Sequence, residues 1–144
     1  MKNLSVAQKS YLAGFLDGDG SIYVRLKPNT TYRFRYQVIA YVAFFQSSKF
    51  LAKFEQVCSL IPFGSHRIRK DGIVEYTIVR QAEIKKFLEM IAPFLLLKKE
   101  QALLTLEILK WKQNVKSDDD FKRLVKMIER FRDLNYSKKR KTRF

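Results

Sequence analysis

The sequence predicts an α+β fold in which helices cover one face of an antiparallel sheet, in the order helix, two strands, helix, two strands, then helices (αββαββα). Two segments alternate apolar with polar residues, and a turn signal at residues 28–31 or 71–72 divides each into a hairpin. Apolar residues recur at helical spacing before, between and after these hairpins. Since no Gly/Ser-rich linker divides the chain, residues 1–144 are expected to form one domain with a basic tail at about residues 136–144.

The first helix is predicted from its two ends. Ser5 and Gln8 have the spacing of a capping box, and a glycine on each side of Asp19 offers a place for the helix to stop. Asp17 and Asp19 therefore stand at the C-terminal end, where the helix dipole disfavours each carboxylate by about 0.3–1 kcal/mol. A bound cation would reverse that effect, so this pair marks a candidate site.

A ridge of small residues runs along the same helix. Ser10, Gly14 and Gly18 recur every fourth residue and therefore share one face. Small side chains let the backbone of another helix approach closely, an effect best known in membranes but steric in origin. The ridge predicts a close contact between this helix and a second one.

The two hairpins each present basic residues on one face. The first pairs residues 21–27 with a long strand over about residues 32–45, and the second pairs residues 66–70 with residues 73–79. Side chains alternate between the faces of a strand, so the apolar face packs on helices and the polar face is left exposed. That polar face is expected to carry Arg25, Lys27, Arg33, Arg35, Gln37, Arg67 and Arg69.

Two caps and one proline divide the remaining helices. Ser48 is expected to cap the helix that follows the first hairpin, and Pro93 separates two later helices. Ser117 and Asp120 form a second capping box, which explains the acidic run there without a metal ion. Apolar stripes predict helices at about residues 50–61, 83–91, 98–112 and 118–134.

Charge and composition restrict the partners. The formal charge is +15, from 29 Lys and Arg against 14 Asp and Glu, and such an excess favours a polyanion. The sequence shows no apolar run of about 18 residues and no signal peptide, so nucleic acid is favoured over a membrane surface. Cys58 has no disulfide partner, falls among apolar residues and is expected to be a buried thiol in a reducing compartment.

Residues 12–20, Leu-Ala-Gly-Phe-Leu-Asp-Gly-Asp-Gly, resemble one copy of the signature of the LAGLIDADG homing endonucleases. Residues 11–29, 93–102 and 134–138 are similar to the small homodimeric members found in algal organelle introns. The resemblance implies a site-specific double-strand DNA endonuclease for intron homing, with a long pseudo-palindromic target and short 3′ overhangs. It also implies an organellar location, chloroplast or mitochondrion, although an archaeal or bacterial cytoplasm is compatible.

The resemblance also implies roles for individual residues. Asp19 and the backbone carbonyl of Gly18 match positions that bind Mg²⁺, for which Mn²⁺ would substitute, whereas Ca²⁺ would bind without supporting cleavage. Gln46 matches a residue that orders the attacking water, and Lys98 matches a basic group that faces the developing phosphorane charge. The segment after Gln46 looks shorter than in relatives that carry an arginine there, and Lys49 is the candidate substitute.

The exposed sheet face is expected to contact DNA, because the major groove of B-DNA admits β-ribbons. Arginine can pair with guanine and glutamine with adenine, at about 1–3 kcal/mol of discrimination each. Basic residues in the tail would contact the phosphate backbone. The residues expected to contact DNA are Arg25, Lys27, Asn29, Tyr32, Arg35, Gln37, Arg67, Arg69, Lys70, Lys138 and Lys139.

The motif occurs once in the chain, and single-motif members of this family are homodimers. A two-fold axis would bring two small-residue ridges together. The implied partners are double-stranded DNA and a second copy of the chain, with no membrane and no small-molecule cofactor. The expected interface comprises Ser10, Leu12, Ala13, Gly14, Asp17 and Gly18.

One competing function would use the same fold: a cleavage-inactive DNA- or RNA-binding protein, such as an intron maturase or a regulator. A protein that only binds has no need for Asp19, Gln46 and Lys98. Their joint presence therefore favours the enzyme.

Overall fold

The computed structural model describes residues 3–135, and its element order confirms the predicted αββαββα arrangement followed by two further helices. Single 3₁₀ turns at Ser48–Phe50 and Ala92–Phe94 precede α2 and follow α3. The elements are α1 Val6–Asp19, β1 Gly20–Pro28, β2 Tyr36–Ser47, α2 Leu51–Cys58, β3 Ser65–Ile68, β4 Ile73–Ile78, α3 Gln81–Ile91, α4 Lys99–Lys112 and α5 Asp118–Leu134.

The four strands form one antiparallel sheet in the order β1-β2-β4-β3. Helices pack on one face of it: the Phe44 ring lies 5.3 Å from Phe15 of α1 and 5.9 Å from Phe87 of α3. Apart from Ala43, the buried sheet side chains all belong to this face, and they are Ile22, Val24, Val38, Ala40, Val42, Phe44, Val74, Tyr76 and Ile78. The prediction of an antiparallel sheet with helices on one face is therefore confirmed.

The second strand begins at Tyr36, four residues later than predicted. Residues 29–35 form a loop that is closed by a hydrogen bond from the Asn29 N–H to the Arg35 carbonyl, at 2.8 Å. Arg35 has φ 66°, in the left-handed region that a strand cannot include. The predicted alternation therefore fails for Arg33 and Arg35, which lie in the loop rather than in the strand.

The helix after the first hairpin also differs from its prediction. Ser47, not Ser48, provides the cap, since its hydroxyl accepts a hydrogen bond from the Lys49 N–H at 3.3 Å. The chain then makes a 3₁₀ turn, so α2 is shorter than the predicted 50–61 and Phe50 is 53% exposed. Cys58 is buried as predicted, and burial, with a smaller effect of Glu55, raises the pKa of its thiol to about 12.

None of the helices in residues 3–135 combines the length and the apolar character needed to span a bilayer.

Candidate active site

The end of α1 is joined to the sheet without a loop, since α1 ends at Asp19 and β1 begins at Gly20. The Gly20 N–H donates to the Leu16 carbonyl and closes the helix. A methyl group at Gly20 would lie 2.9 Å from Leu16 Cα and 3.0 Å from Ala43 O, so only glycine fits there. The predicted stop therefore comes from close packing, and it holds Asp19 at a fixed place beside the sheet.

The carboxylate of Asp17 binds the backbone immediately before α4. Its Oδ2 accepts hydrogen bonds from the N–H groups of Leu96 and Leu97 at 2.8 and 3.1 Å, and its Oδ1 accepts one from the Lys98 N–H at 3.0 Å. In return, Lys98 Nζ donates to the Asp17 carbonyl at 2.9 Å. The Asp17 carboxylate thus lies near the positive N-terminal end of α4, and the Lys98 ammonium group lies at the negative C-terminal end of α1. These contacts offset the unfavourable position of Asp17 in the dipole of α1. These four bonds fix the end of α1 against the start of α4.

We expect Asp17→Ala to lower the free energy of unfolding by about 3 kcal/mol. The substitution leaves three N–H groups without their charged acceptor, and a hydrogen bond to a charged group contributes about 1.5–3 kcal/mol. In the variant, water can bind the freed N–H groups, so the total loss is smaller than the sum of three such bonds. Urea unfolding followed by circular dichroism, at one protein concentration, measures the change. Asp118→Ala is the matched control, since that exposed carboxylate stands in the first turn of α5 and should change stability by less than about 1 kcal/mol. Equal losses in the two variants would contradict a stabilising role for the Asp17 hydrogen bonds.

Asp19 lines two open cavities. The larger, about 820 Å³, also contains Gly18 and Lys98, and the smaller, about 380 Å³, contains Gln46 and Lys53. The side chain of Asp19 is exposed and lines both. The structure therefore places Asp19 in one cavity with Lys98 and in the other with Gln46.

Gln46 has a defined orientation in the smaller cavity. Its Oε1 accepts a hydrogen bond from the Ser47 N–H at 2.9 Å, which leaves its amide nitrogen as the group that can donate to a ligand. Lys49, the substitute suggested by the sequence, lines neither cavity. Lys53 lines the smaller one and was missed, because the shortened segment and its 3₁₀ turn change which lysine reaches the site.

Two stacked tyrosines line the larger cavity. Tyr23 and Tyr41 are directly paired across β1 and β2, and their rings stack with centroids 5.0 Å apart. Burial raises the pKa of the Tyr41 phenol, and nearby Tyr23 and Glu75 raise it further. Tyr41 is therefore neutral at neutral pH and is not available as a general base.

The carboxylates at this site offer few metal ligands within one chain. Residues 3–135 contain no group of three or more His, Cys, Asp or Glu side chains placed to hold a metal ion. Asp17 is occupied by α4, so Asp19 is the carboxylate that remains open in the two cavities. Its exposed oxygens suit Mg²⁺, which prefers oxygen ligands and retains several waters.

The outer face of the first hairpin carries the predicted polar side chains. Lys27 lies directly opposite Gln37, and Arg25 is two residues before Lys27 on the same face. Asn29 Nδ2 donates to Gln37 Oε1 at 3.2 Å, which orients both amides. Tyr32 and Arg35 are exposed in the adjoining loop, and the predicted contacts Lys138 and Lys139 lie outside the described residues.

The basic residues of the second hairpin are paired with acids. Glu75 lies opposite Arg67, 3.8 Å away, and accepts a hydrogen bond from Arg69 at 3.4 Å. Arg69 also contacts Asp71 at 2.6 Å, whereas Lys70 is exposed at the turn. Ion pairs near the surface contribute about 0–1 kcal/mol, so a phosphate or a base edge can compete with them for the arginines.

The predicted interface residues divide into two groups. Ser10, Gly14 and Gly18 are exposed, and a Cβ atom added at either glycine would meet nothing within 4 Å. Leu12 and Ala13 are fully buried in the core of their own chain, so the neighbouring ridge, and not these two side chains, is the surface that is open to a partner. The structure adds Leu96 and Leu97, which follow α3 and are 84% and 79% exposed beside Asp17.

Comparisons with known proteins agree with this geometry. Residues 12–115 match the LAGLIDADG endonuclease family. The DNA endonuclease I-CreI of Chlamydomonas reinhardtii is 35% identical over 133 residues, which cover 92% of this chain and 81% of that protein. The DNA endonuclease I-CvuI of Chlorella vulgaris is 34% identical over 107 residues, 74% of this chain and 66% of that protein.

The fold is similar to that of solved DNA complexes. A crystal structure of the homing endonuclease I-CvuI with the I-CreI target, in the presence of 2 mM Mg and with the DNA not cleaved, gives a TM-score of 0.82 at 28% identity. The match covers 90% of this chain and 83% of the other. A second I-CvuI complex, with its own target and 2 mM Ca, gives a TM-score of 0.81.

Proposed function

The chain belongs to the LAGLIDADG endonuclease family, and from that premise we propose that it is a site-specific homing endonuclease that hydrolyses both strands of a long pseudo-palindromic DNA target. One observation carries the proposal. Asp19, at the end of the motif helix, opens into two cavities that hold Lys98 on one side and Gln46 on the other. An acid that shares one cavity with a cation and the other with an amide donor suits phosphodiester hydrolysis.

The reaction is proposed to depend on a divalent ion, with Mg²⁺ as the cofactor, Mn²⁺ as a substitute and Ca²⁺ as an ion that binds without supporting cleavage. The Asp19 carboxylate and the Gly18 carbonyl are the proposed ligands, completed by a second chain and by the scissile phosphates. When bound, the ion would activate a water molecule and neutralise charge on the leaving 3′-oxygen. The Mg and Ca complexes of I-CvuI support a divalent ion, and the exposed oxygens of Asp19 suit one.

The protein side chains divide the remaining tasks. Gln46 would donate from its amide nitrogen to the attacking water, because its oxygen is held by the Ser47 N–H. Lys98 Nζ is anchored on the Asp17 carbonyl and retains two further donors for the phosphate oxygens. Charge develops on those oxygens during attack, so a fixed ammonium group there lowers the barrier.

The active form is proposed to be a homodimer in which each chain cuts one strand and leaves short 3′ overhangs. A single chain offers one open carboxylate in these cavities, and its exposed ridge of Ser10, Gly14 and Gly18 adjoins the exposed Leu96 and Leu97. Exposed apolar surface of this kind is typical of a protein interface. The outer sheet face would lie in the major groove on each side of the two-fold axis.

The same proposal treats residues 1–144 as one endonuclease domain, since one hydrophobic core includes side chains from α1 to α5. It places the protein in a chloroplast or mitochondrion, where it would promote intron homing. The relatives from Chlamydomonas reinhardtii and Chlorella vulgaris are consistent with that location.

Cleavage selection from a randomised DNA library tests the proposed function directly. We expect recovered sites to be long and nearly palindromic, and we expect cutting with Mg²⁺ that EDTA abolishes. Tight, selective binding without metal-dependent cutting would instead support the binding-only alternative.

A further inference from the structure

Lys53 has no role in the function derived so far, although it lines the smaller cavity with Asp19 and Gln46. It lies in α2, its side chain is exposed, and within residues 3–135 that side chain makes no ion pair and no hydrogen bond. The rest of this cavity is mainly apolar and aromatic, with walls from Tyr11, Phe15, Phe50, Phe54 and Val57. An unpaired cation in such a place has room to meet an anionic ligand.

Building on the proposed nuclease function, we propose that Lys53 is a further catalytic residue, whose ammonium group contacts a non-bridging oxygen of the scissile phosphate in the cavity that it shares with Asp19 and Gln46. Asp19 lines both cavities, whereas Lys98 lines only the larger one. A phosphate held at Asp19 would therefore have Lys98 on one side and Lys53 on the other. Lys53 shares its cavity with Gln46, the residue proposed to order the attacking water. Negative charge on the phosphate oxygens increases there during attack.

The cavity walls strengthen this contact. Aromatic side chains exclude water once DNA covers the opening, and the attraction between an ammonium group and a phosphate rises as the effective dielectric constant falls. Lys98 is partly committed to the Asp17 carbonyl, whereas all three N–H donors of Lys53 are available. Lys53 thus offers three free donors, whereas Lys98 offers two.

Lys49 is the natural control for this assignment. It is exposed and lies four residues before Lys53, but its backbone belongs to the 3₁₀ turn capped by Ser47, and its side chain lines neither cavity. Both lysines contribute equally to net charge. A difference between the two alanine variants therefore reports position rather than charge.

Single-turnover cleavage at saturating protein measures the catalytic effect. We expect Lys53→Ala to reduce the rate by about 10²-fold, the size found when one preorganised transition-state donor is removed. Lys53→Arg, which keeps the charge, should recover to within about tenfold of wild type, and Lys49→Ala should stay within about threefold. A Lys53→Ala rate equal to that of wild type would overturn the proposal.

Salt dependence of DNA binding gives a readout that does not need cleavage. Loss of one phosphate contact should reduce the log–log slope by about 0.9 for each chain in Lys53→Ala. A rate loss with an unchanged slope would mean that Lys53 acts without touching phosphate, and would also overturn the assignment. If wild-type protein bound DNA but never cut it, the proposed nuclease function would be rejected. A reduced slope of DNA affinity against salt concentration in Lys53→Ala would still support the phosphate contact. No DNA binding at all would reject both.

Discussion

Asp19→Asn is expected to abolish DNA cleavage, with a rate loss of about 10³-fold or more, and to leave DNA affinity intact. Asparagine keeps the shape of the side chain but removes the charge that would hold a divalent ion between the two cavities. Metal-ion catalysis contributes several kcal/mol, and each 1.36 kcal/mol is a tenfold change in rate. The loss should therefore appear in the chemical step and not in binding.

Cleavage of the selected target with Mg²⁺, and fluorescence anisotropy in EDTA, separate these two quantities. Affinity should be unchanged or tighter, because the substitution removes a negative charge close to the phosphate backbone. Asp118→Asn, which alters an exposed acid in the first turn of α5, should leave both rate and affinity near wild type. Normal cutting by Asp19→Asn would show that another group holds the ion.

Patterns that repeat within about ten residues predicted most of this fold. The alternation of residues 21–27 and 73–79 and the turn at Gly72, which has φ 84°, correspond to observed strands and an observed turn. The start of β2 was missed because the loop at residues 29–35 is closed by its own backbone hydrogen bonds. The pattern of apolar and polar residues does not indicate such backbone hydrogen bonds.

The site was predictable only where one residue type implied one role. Asp19 stood out because a carboxylate at a helix C-terminus is locally unfavourable. Asp17 has the same local signal, but it binds N–H groups about 80 positions away in sequence, and nothing near Asp17 indicates that contact. Lys53 was hidden for a similar reason, since its place in the cavity depends on how α2 packs beside α1.

Gly14→Leu is expected to separate the proposed dimer while leaving the protomer folded. A Cβ atom at Gly14 meets nothing within 4 Å in the single chain, and leucine is a better helix former than glycine by about 0.5–1 kcal/mol. Protomer stability should therefore not fall. At a two-fold interface the added side chain enters twice, and overpacking costs about 1–3 kcal/mol at each place, so the dissociation constant should rise about 30-fold or more.

Sedimentation equilibrium measures the dissociation constant, and cleavage measured over a range of protein concentrations reports the consequence. Double-strand cutting by Gly14→Leu should recover at high protein concentration, because dissociation of the dimer, and not the chemical step, limits the variant. Ala82→Leu, at an exposed position of α3, should change neither mass nor rate, and Gly14→Ala should show a smaller shift than leucine. If Gly14→Leu kept a wild-type dissociation constant, the ridge would not be the contact, and the two copies of Asp19 would have to be brought to the DNA by a different surface.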